Sequence, residues 1–217
     1  MKFIHILIFC LLSFFANADN VRTLDISFDV KDFKMMRNES GLLELSSTKH
    51  PVSYGNDVTD PGLPLVEIKV AIPRGAEFQS LSVTGSKQVL QTNVVVATNP
   101  IVFSTNVAPT PSPLTIPDYK NKVYPENIVK YVSTNTMDGY TMTCFLVSPF
   151  EYDASSGELH FYEQVSMQIN LTDAKSASFC SSPFVGKNAK HWIRQLVINP
   201  EDVEEPTPIE ASPQMMT

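Results

Sequence analysis

The sequence predicts an all-β protein, an antiparallel β-sandwich with one short helix near its C-terminus. Three observations indicate this class. Stretches of alternating apolar and polar residues recur along the chain, whereas only one stretch has helical periodicity. In addition, sixteen prolines together with abundant Val, Thr and Ser are typical of a domain made of strands and turns.

The clearest strand prediction covers residues 159–171. Its odd-numbered positions are apolar except for Glu163, and its even-numbered positions are almost all polar. This alternation indicates a strand with one face on a core and the other in water. Because 13 residues is long for a strand, we expect a bulge near Glu163. Turn-forming residues at 153–157 predict a hairpin with a second strand over residues 140–150.

Shorter alternating stretches predict the remaining strands. They are residues 24–30, 34–36, 42–45, 65–72, 79–84, 89–96 and 128–132. Residues 38–41 supply a hairpin turn, and Pro61-Gly62-Leu63-Pro64 enforces a turn ahead of residue 65. Residues 107–117 contain four prolines, too many for a paired central strand, and predict an extended loop.

The single helix prediction lies near the C-terminus. Ser182 is a candidate cap, and Pro183 suits the first helical position. The apolar face consists of Val185, Ala189, Trp192, Ile193 and Leu196. We expect Trp192 to pack against the sandwich. Residues 199–217 are acidic and rich in proline, which predicts a linker or a disordered tail after a domain over residues 19–198.

The first 18 residues have the pattern of a secretory signal peptide. Lys2 precedes an apolar run over residues 3–15, and small residues precede a predicted cleavage between Ala18 and Asp19. The apolar run is short for a membrane span. We therefore expect an exported protein, located in the periplasm, at the cell surface or outside the cell, with no membrane insertion after cleavage.

Two cysteines follow the predicted leader. Cys144 and Cys180 could form a disulfide in an oxidising compartment. Cys144 shares its predicted strand face with Tyr140 and Met142, however, so a buried free thiol is the simpler expectation. Both alternatives remain open at this point.

Several function classes find no support in the residues. The net charge is −7 and no basic patch stands out, so a nucleic-acid partner is not expected. Serine-hydrolase, zinc-protease, phosphate-loop and paired-cysteine zinc motifs are missing from the sequence, so we predict no catalytic residues, no cofactor and no metal. A Cys144–His160 dyad is opposed by the alternation, which places the two residues on strand faces of different character.

Three segments, in this order, resemble the N-terminal propeptide of gingipain-type cysteine peptidases. They are Pro61-Gly62-Leu63-Pro64-Leu65-Val66, Ser148-Pro149-Phe150-Glu151-Tyr152-Asp153 and Ser156-Gly157-Glu158-Leu159-His160-Phe161-Tyr162. The strand and helix that follow complete the pattern, which covers most of residues 22–198. The first two segments together are fairly specific.

The resemblance implies a β-sandwich prodomain that is not itself an enzyme and whose partner is the catalytic domain of a gingipain-type cysteine peptidase. In the family, the prodomain assists folding and covers the active-site cleft until it is cleaved. In the arginine- and lysine-specific members, a prodomain loop presents a basic side chain to the specificity pocket. The corresponding peptidase-facing residues here are Ser104, Thr105, Asn106 and Val107.

The chain departs from that pattern, because no Lys or Arg occurs between Lys87 and Lys120. A pocket selective for a cation contains an acidic group, which Thr105 or Asn106 would leave unpaired. We favour a partner peptidase that does not select basic residues. There are three alternatives. Lys120 or Lys122 could supply the basic side chain, inhibition could work by steric coverage alone, or the loop could merely connect strands.

The chain ends where a catalytic domain would be expected in the family. It is therefore expected to be either a free-standing prodomain that acts in trans or a fragment of a longer precursor. Two competing interpretations remain: an exported binding module for glycan or a surface protein, which would use exposed Tyr119, Tyr124 and Tyr162, and a family member that merely lacks the catalytic Cys and His.

Overall fold

The structure, a computed structural model, describes residues 20–100, 117, 122–173, 186 and 188–205. The strands in these ranges are β1 (Val21–Ser27), β2 (Phe33–Arg37), β3 (Leu43–Ser47), β4 (Val52–Ser53), β5 (Leu65–Ile72), β6 (Ala76–Gln91), β7 (Val123–Tyr124), β8 (Val129–Met137), β9 (Tyr140–Val147), β10 (Phe150–Asp153) and β11 (Glu158–Asp173). The helix α1 is Ala189–Leu196, and two 3₁₀ turns cover Val30–Asp32 and Pro200–Asp202.

Two antiparallel sheets share one core. The five-stranded sheet has the order β1-β11-β10-β7, with β6 along the other side of β11. The four-stranded sheet has the order β4-β5-β9-β8, and β2 and β3 form a separate hairpin. This architecture confirms the predicted all-β sandwich with one short C-terminal helix.

Strand β11 is the centre of the five-stranded sheet, and its burial follows the predicted alternation. Its core-facing side chains are Leu159, Phe161, Val165, Met167, Ile169 and Leu171, all buried. They share one cluster with buried residues of the opposite sheet, including Phe145 and Val147. Each large apolar side chain buried in this way contributes about 1.5–3 kcal/mol.

The expected bulge lies at Glu163. The register of β11 against β6 shifts between Tyr162 and Gln164, so Glu163 is an extra residue. The shift turns its carboxylate to solvent, where Gln88 Nε2 donates to Oε1 at 2.7 Å. The bulge therefore explains how an acidic residue occupies an otherwise apolar face.

The predicted single strand over residues 140–150 is wrong, because the chain changes sheets inside it. Strand β9 pairs with β5 and β8, whereas the hairpin partner of β11 is the short strand β10. Ser148 lies at the crossing, where its N–H donates to Ile128 O at 2.7 Å and its hydroxyl donates to Phe150 O at 2.7 Å. Pro149 has no N–H to donate to a ladder, so the strand is interrupted there.

The strand predicted over residues 79–84 and the first residues of the strand predicted over residues 89–96 belong to one continuous strand, β6, which is paired with β11. Residues 92–96 lie beyond its end, so the predicted second strand is wrong there. Gly85 does not form a turn; its lack of a side chain allows β6 and β11 to approach each other closely. A Cβ at this position would lie 3.0 Å from Gln164 O and 3.0 Å from Tyr162 Cδ1. A glycine inside a strand can therefore indicate contact as well as a break.

Helix α1 packs on the outer face of the four-stranded sheet, but not through Trp192. Ile193 is fully buried, whereas the side chain of Trp192 is 60% exposed, so the prediction that Trp192 packs on the sandwich is wrong. Ala189 and Ile193 lie one turn apart and point inward, which rotates Trp192 away from the sheet. Ala71, Tyr140, Met142, Val197 and Val203 complete this second apolar cluster.

The helix also begins later than predicted, after Asn188. The expected cap and first residues, Ser182, Pro183 and Val185, lie outside the described residues. Among the described residues, no helix has the length and apolar character needed to cross a membrane.

The residues that follow the helix are held on the free edge of β5. Asn199 is buried; Ala71 N–H donates to its Oδ1 at 2.8 Å, and its Nδ2 donates to Ala71 O at 2.9 Å. Asp202 accepts from Arg22 Nε at 3.0 Å, which connects this segment to β1. The side chain of Asn199 therefore replaces a neighbouring strand, and the predicted tail begins with packed residues.

Replacing Ile193 by Ala should destabilise the protein by about 2–5 kcal/mol, because the change leaves a cavity beneath the helix. Trp192→Ala, the matched control one residue away, should change the free energy of unfolding by less than about 1 kcal/mol. Urea denaturation of both variants measures the difference. Equal losses would mean that the helix docks in another orientation.

Candidate functional site

The residues predicted to face a peptidase lie outside the described residues, as do Ala18, Asp19 and Cys180. The structure does describe the residues on either side of the segment that carries Ser104–Val107. We call residues 94–100 and 122–125 together the loop base. The candidate functional site is built from these two ends.

The first end of the loop base is irregular backbone fixed onto β3. Val94 and Val96 are buried in the main core. Leu43 N–H donates to Val95 O at 2.8 Å, and Ala97 N–H donates to Leu43 O at 2.8 Å. These two bonds hold the stretch against β3 in the manner of a short parallel strand.

The Pro-Gly-Leu-Pro motif forms the seat for the following residues. Gly62 N–H donates to Ala97 O at 2.7 Å, and a Cβ on Gly62 would lie only 3.0 Å from Thr98 O. Asn99, which is buried, donates from its N–H to Asp60 O at 2.9 Å. The glycine is therefore needed for close backbone contact with the start of the loop.

The second end of the loop base is tied to strand β10. Strand β7 pairs with β10 through Tyr124 and Tyr152, and Lys122 O accepts from Ala154 N–H at 3.1 Å. The Lys122 ammonium lies 4.6 Å from the centroid of the Tyr124 ring, a cation–π contact. Lys122 thus lies against the base of the loop.

Tyr152 connects the two ends. Its backbone pairs with Tyr124 at the second end, while its hydroxyl donates to Val94 O at 3.0 Å at the first end. The side chain is buried, and this burial raises the pKa of Tyr152 above its ordinary value. One residue of the Pro-aromatic-Tyr motif therefore fixes both ends of the loop.

Two clefts flank the loop base. One, of about 360 Å³, lies between Asn99 and Lys122 and extends to Lys130 and Leu146 on the four-stranded sheet. The other, of about 270 Å³, lies beside Pro100 and is lined in part by Met36, Leu45 and Tyr54.

The Cys144–His160 dyad is excluded by the topology, because Cys144 lies on β9 and His160 on β11, in different sheets. The Cys144 thiol is half-buried on the outer face and donates to Glu67 Oε1 at 3.2 Å. Burial and this hydrogen bond raise the pKa of Cys144 to about 11, so the reactive thiolate is disfavoured. Its pairing with Cys180 stays a prediction.

A buried carboxylate that the sequence reasoning missed lies beside the loop base. Glu151 accepts from the Tyr162 hydroxyl at 2.7 Å and pairs with Lys87, joining β10, β11 and β6. Burial and the bond to Glu151 raise the pKa of Tyr162. The sequence feature that could have indicated this buried carboxylate is the acidic residue inside the Ser-Pro-Phe-Glu-Tyr-Asp motif. Because each oxygen of the carboxylate has a partner, the arrangement is structural.

Comparison with known proteins identifies relatives of this chain. The family model Propeptide_C25 matches residues 13–191. A solved structure described as the complex of Porphyromonas gingivalis RgpB pro- and mature domains is 15% identical, with a TM-score of 0.63, and the match covers 83% of this chain and 93% of that chain. No curated protein matches the chain.

A second solved structure concerns the zymogenic latency of gingipain K from Porphyromonas gingivalis. It is 16% identical with a TM-score of 0.53, and the match covers 73% of this chain and 90% of that chain. At these identities, the likeness to both structures shows the fold.

Replacing Tyr152 by Phe should cost about 1–3 kcal/mol, because the buried Val94 carbonyl loses its donor. Amide hydrogen exchange over residues 94–100 should accelerate. Tyr131→Phe is the control, since the Tyr131 hydroxyl bonds Thr134 at the surface. If both variants behave alike, Tyr152 does not hold the loop base.

The raised pKa of Tyr162 predicts a dependence of stability on alkaline pH. The folded state binds this proton more tightly than the unfolded state, so the contribution is complete below pH ~10 and declines above it. The stability difference between wild type and Tyr162→Phe, measured by urea denaturation, should therefore be constant up to about pH 9 and shrink above about pH 10. A constant difference would contradict the assignment.

Proposed function

The chain belongs to the Propeptide_C25 family, and on this premise we propose that it binds the catalytic domain of a gingipain-type cysteine peptidase and keeps it latent or assists its folding. The family consists of propeptides of cysteine peptidases, which are non-catalytic domains. The chain is therefore the regulator of a protease and not the protease.

The loop base carries this proposal structurally. On one side of residues 101–121 the chain is seated on the Pro61–Pro64 turn, and on the other side it continues into β7. Tyr152 contacts both of these flanks. An inhibitor that covers a protease cleft must present a segment without being drawn into the active site and cut. Fixing both ends in advance also reduces the conformational entropy lost on binding.

We propose that Ser104, Thr105, Asn106 and Val107 face the active site of the partner. These side chains carry no charge, so they suit a specificity pocket without a buried carboxylate. Lys122 lies over the Tyr124 ring, which favours uncharged residues in the specificity pocket over entry of Lys122 into it. The partner is therefore a peptidase that does not require a basic residue at the cleavage site.

The proposal includes export. A signal peptide would be cleaved between Ala18 and Asp19, in a bacterial cell. Residues 19–198 would form the inhibitory domain together with the packed first residues of the predicted tail, and the rest of residues 199–217 would be a linker. Formation of a Cys144–Cys180 disulfide is compatible with such a compartment.

The glycan-binding alternative is not favoured. It depends on exposed aromatic rings, and two of the three tyrosines proposed for it, Tyr124 and Tyr162, are buried. The third, Tyr119, lies outside the described residues.

The test uses purified residues 19–217 of this chain as the inhibitor. Inhibition of gingipain-type peptidases is measured with substrates that differ in the residue at the cleavage site. Wild type should inhibit a partner from the same organism tightly and an arginine-specific gingipain weakly. Thr105→Arg or Asn106→Arg should strengthen inhibition of the arginine-specific enzyme about tenfold or more, since a buried charge pair would form. Val89→Arg, on the exposed part of β6, is the charge control.

Tight inhibition of the arginine-specific enzyme by wild type would overturn the specificity assignment. Failure of the protein to bind any gingipain-type peptidase would overturn the proposed function itself.

A further inference from the structure

The turn that joins β10 to β11 contacts the chain shortly before the loop. Val94 N–H donates to Gly157 O at 3.1 Å, and Val94 O accepts from the Tyr152 hydroxyl at 3.0 Å. Both backbone polar groups of Val94 are therefore bonded to the same hairpin. Because Val94 is buried, these two bonds supply the partners that its backbone requires.

Gly157 has no room for a side chain at this contact. Its φ is +69°, in the left-handed region that residues with a side chain rarely adopt. A Cβ at this position would lie 3.2 Å from Val94 O and 3.5 Å from Val94 N. Gly157 N–H also donates to Asp153 O at 2.8 Å, which fixes the turn itself. A side chain would therefore strain the turn and press on the backbone of Val94.

The chain reaches Val94 through a second left-handed residue. Asn93 has a φ of +54°, and the Cβ position of Gly157 lies 3.6 Å from Asn93 Cα. Asparagine tolerates this conformation better than most residues do. After β6 ends at Gln91, the chain therefore turns at Asn93 and passes directly against Gly157.

Burial favours a single register for the segment that follows. Val94 and Val96 are 2% and 0% exposed, whereas Val95 between them is 40% exposed. A shift by one residue would exchange the buried and exposed side chains, as it does in a strand. The bonds from Val94 to the hairpin thus fix which residues enter the loop.

All three sequence segments that carry the family resemblance contact this short stretch. Gly62, from the first segment, donates to Ala97 O at 2.7 Å. Tyr152, from the second, and Gly157, from the third, both bond to Val94. The three segments therefore meet on residues 94–97, just ahead of residues 101–121.

We propose that Gly157 is a positioning residue of the propeptide. By holding Val94 in one register, it sets where residues 101–121 begin and so how Ser104–Val107 are presented to the peptidase. The presentation step rests on the proposed function, whereas the contact with Val94 belongs to the free protein. Gly157 acts through Val94 rather than by contact with the peptidase.

Hydrogen exchange of the free protein tests the contact. Gly157→Ala should accelerate exchange over residues 94–97 about tenfold or more, because the added Cβ presses on the Val94 carbonyl. Gly75→Ala is the matched control. Gly75 has a φ of +81° and no neighbouring atom within 4 Å of its Cβ position, so it shares the backbone strain without the contact. Equal exchange over residues 94–97 in the two variants would overturn the proposal.

A second variant, Gly157→Asn, separates the contact from the backbone conformation and remains informative if Gly157→Ala fails to fold. Asparagine adopts positive φ more readily than alanine but still adds a Cβ. Exchange over residues 94–97 should therefore stay fast, while the melting temperature should lie closer to that of wild type. Slow exchange in Gly157→Asn would contradict the contact with Val94 as the cause.

Inhibition of a peptidase that wild type inhibits is the second readout. Gly157→Ala and Gly157→Asn should each weaken inhibition about tenfold or more, and Gly75→Ala should leave it unchanged. Unchanged inhibition despite faster exchange would overturn the positioning role and leave the proposed function intact. Absence of inhibition by wild type, together with the expected exchange, would overturn the proposed function but not the hold of Gly157 on Val94.

Discussion

A buried hydroxyl group has to be hydrogen bonded, and in Tyr152 this requirement determines the architecture around the loop. Its hydroxyl donates a hydrogen bond to the Val94 carbonyl, which is part of irregular backbone rather than of a sheet. Its own backbone is simultaneously part of the β7–β10 ladder. Leaving either group unpaired in the core would cost about 1–3 kcal/mol, so the two chain ends are held in one arrangement. The Pro-Gly-Leu-Pro turn reinforces it through the close contact of Gly62 with Thr98.

In the proposed complex, the work of the propeptide is divided between the sandwich and residues 101–121. The sandwich is specified by apolar alternation and provides the platform, whereas residues 101–121 provide the sequence that a peptidase would meet. Such a division allows the loop to change with the specificity of the partner while the platform keeps its fold.

Much of this fold was predictable from local pattern, and the errors have physical reasons. Features that depend on residues adjacent in sequence were predictable. They are the period-two burial of β11, the bulge at Glu163 and the bounds of β5. Local pattern does not report which sheet a strand joins, so the crossing at Ser148-Pro149 was read as one strand. An apolar residue such as Trp192 is expected to face inward, but the inward face of this short helix is set by Ala189 and Ile193. The Pro-Gly-Leu-Pro and Ser-Pro-Phe-Glu-Tyr-Asp motifs lie at the loop base, so the sequence identified these contacts by motif. The Glu151–Tyr162–Lys87 contact was not predictable in this way, because it needs three strands to be placed together.

The central claim is that residues 101–121, held at the loop base, cover the active site of a gingipain-type peptidase. Hydrogen exchange of the propeptide, free and bound to a catalytic domain inactivated at its cysteine, tests it most directly. The account predicts strong protection over residues 101–121 on binding, with residues 94–100 already slow to exchange in the free protein because Tyr152 and β3 hold them. A complex that forms while residues 101–121 exchange as fast as in the free protein would contradict it.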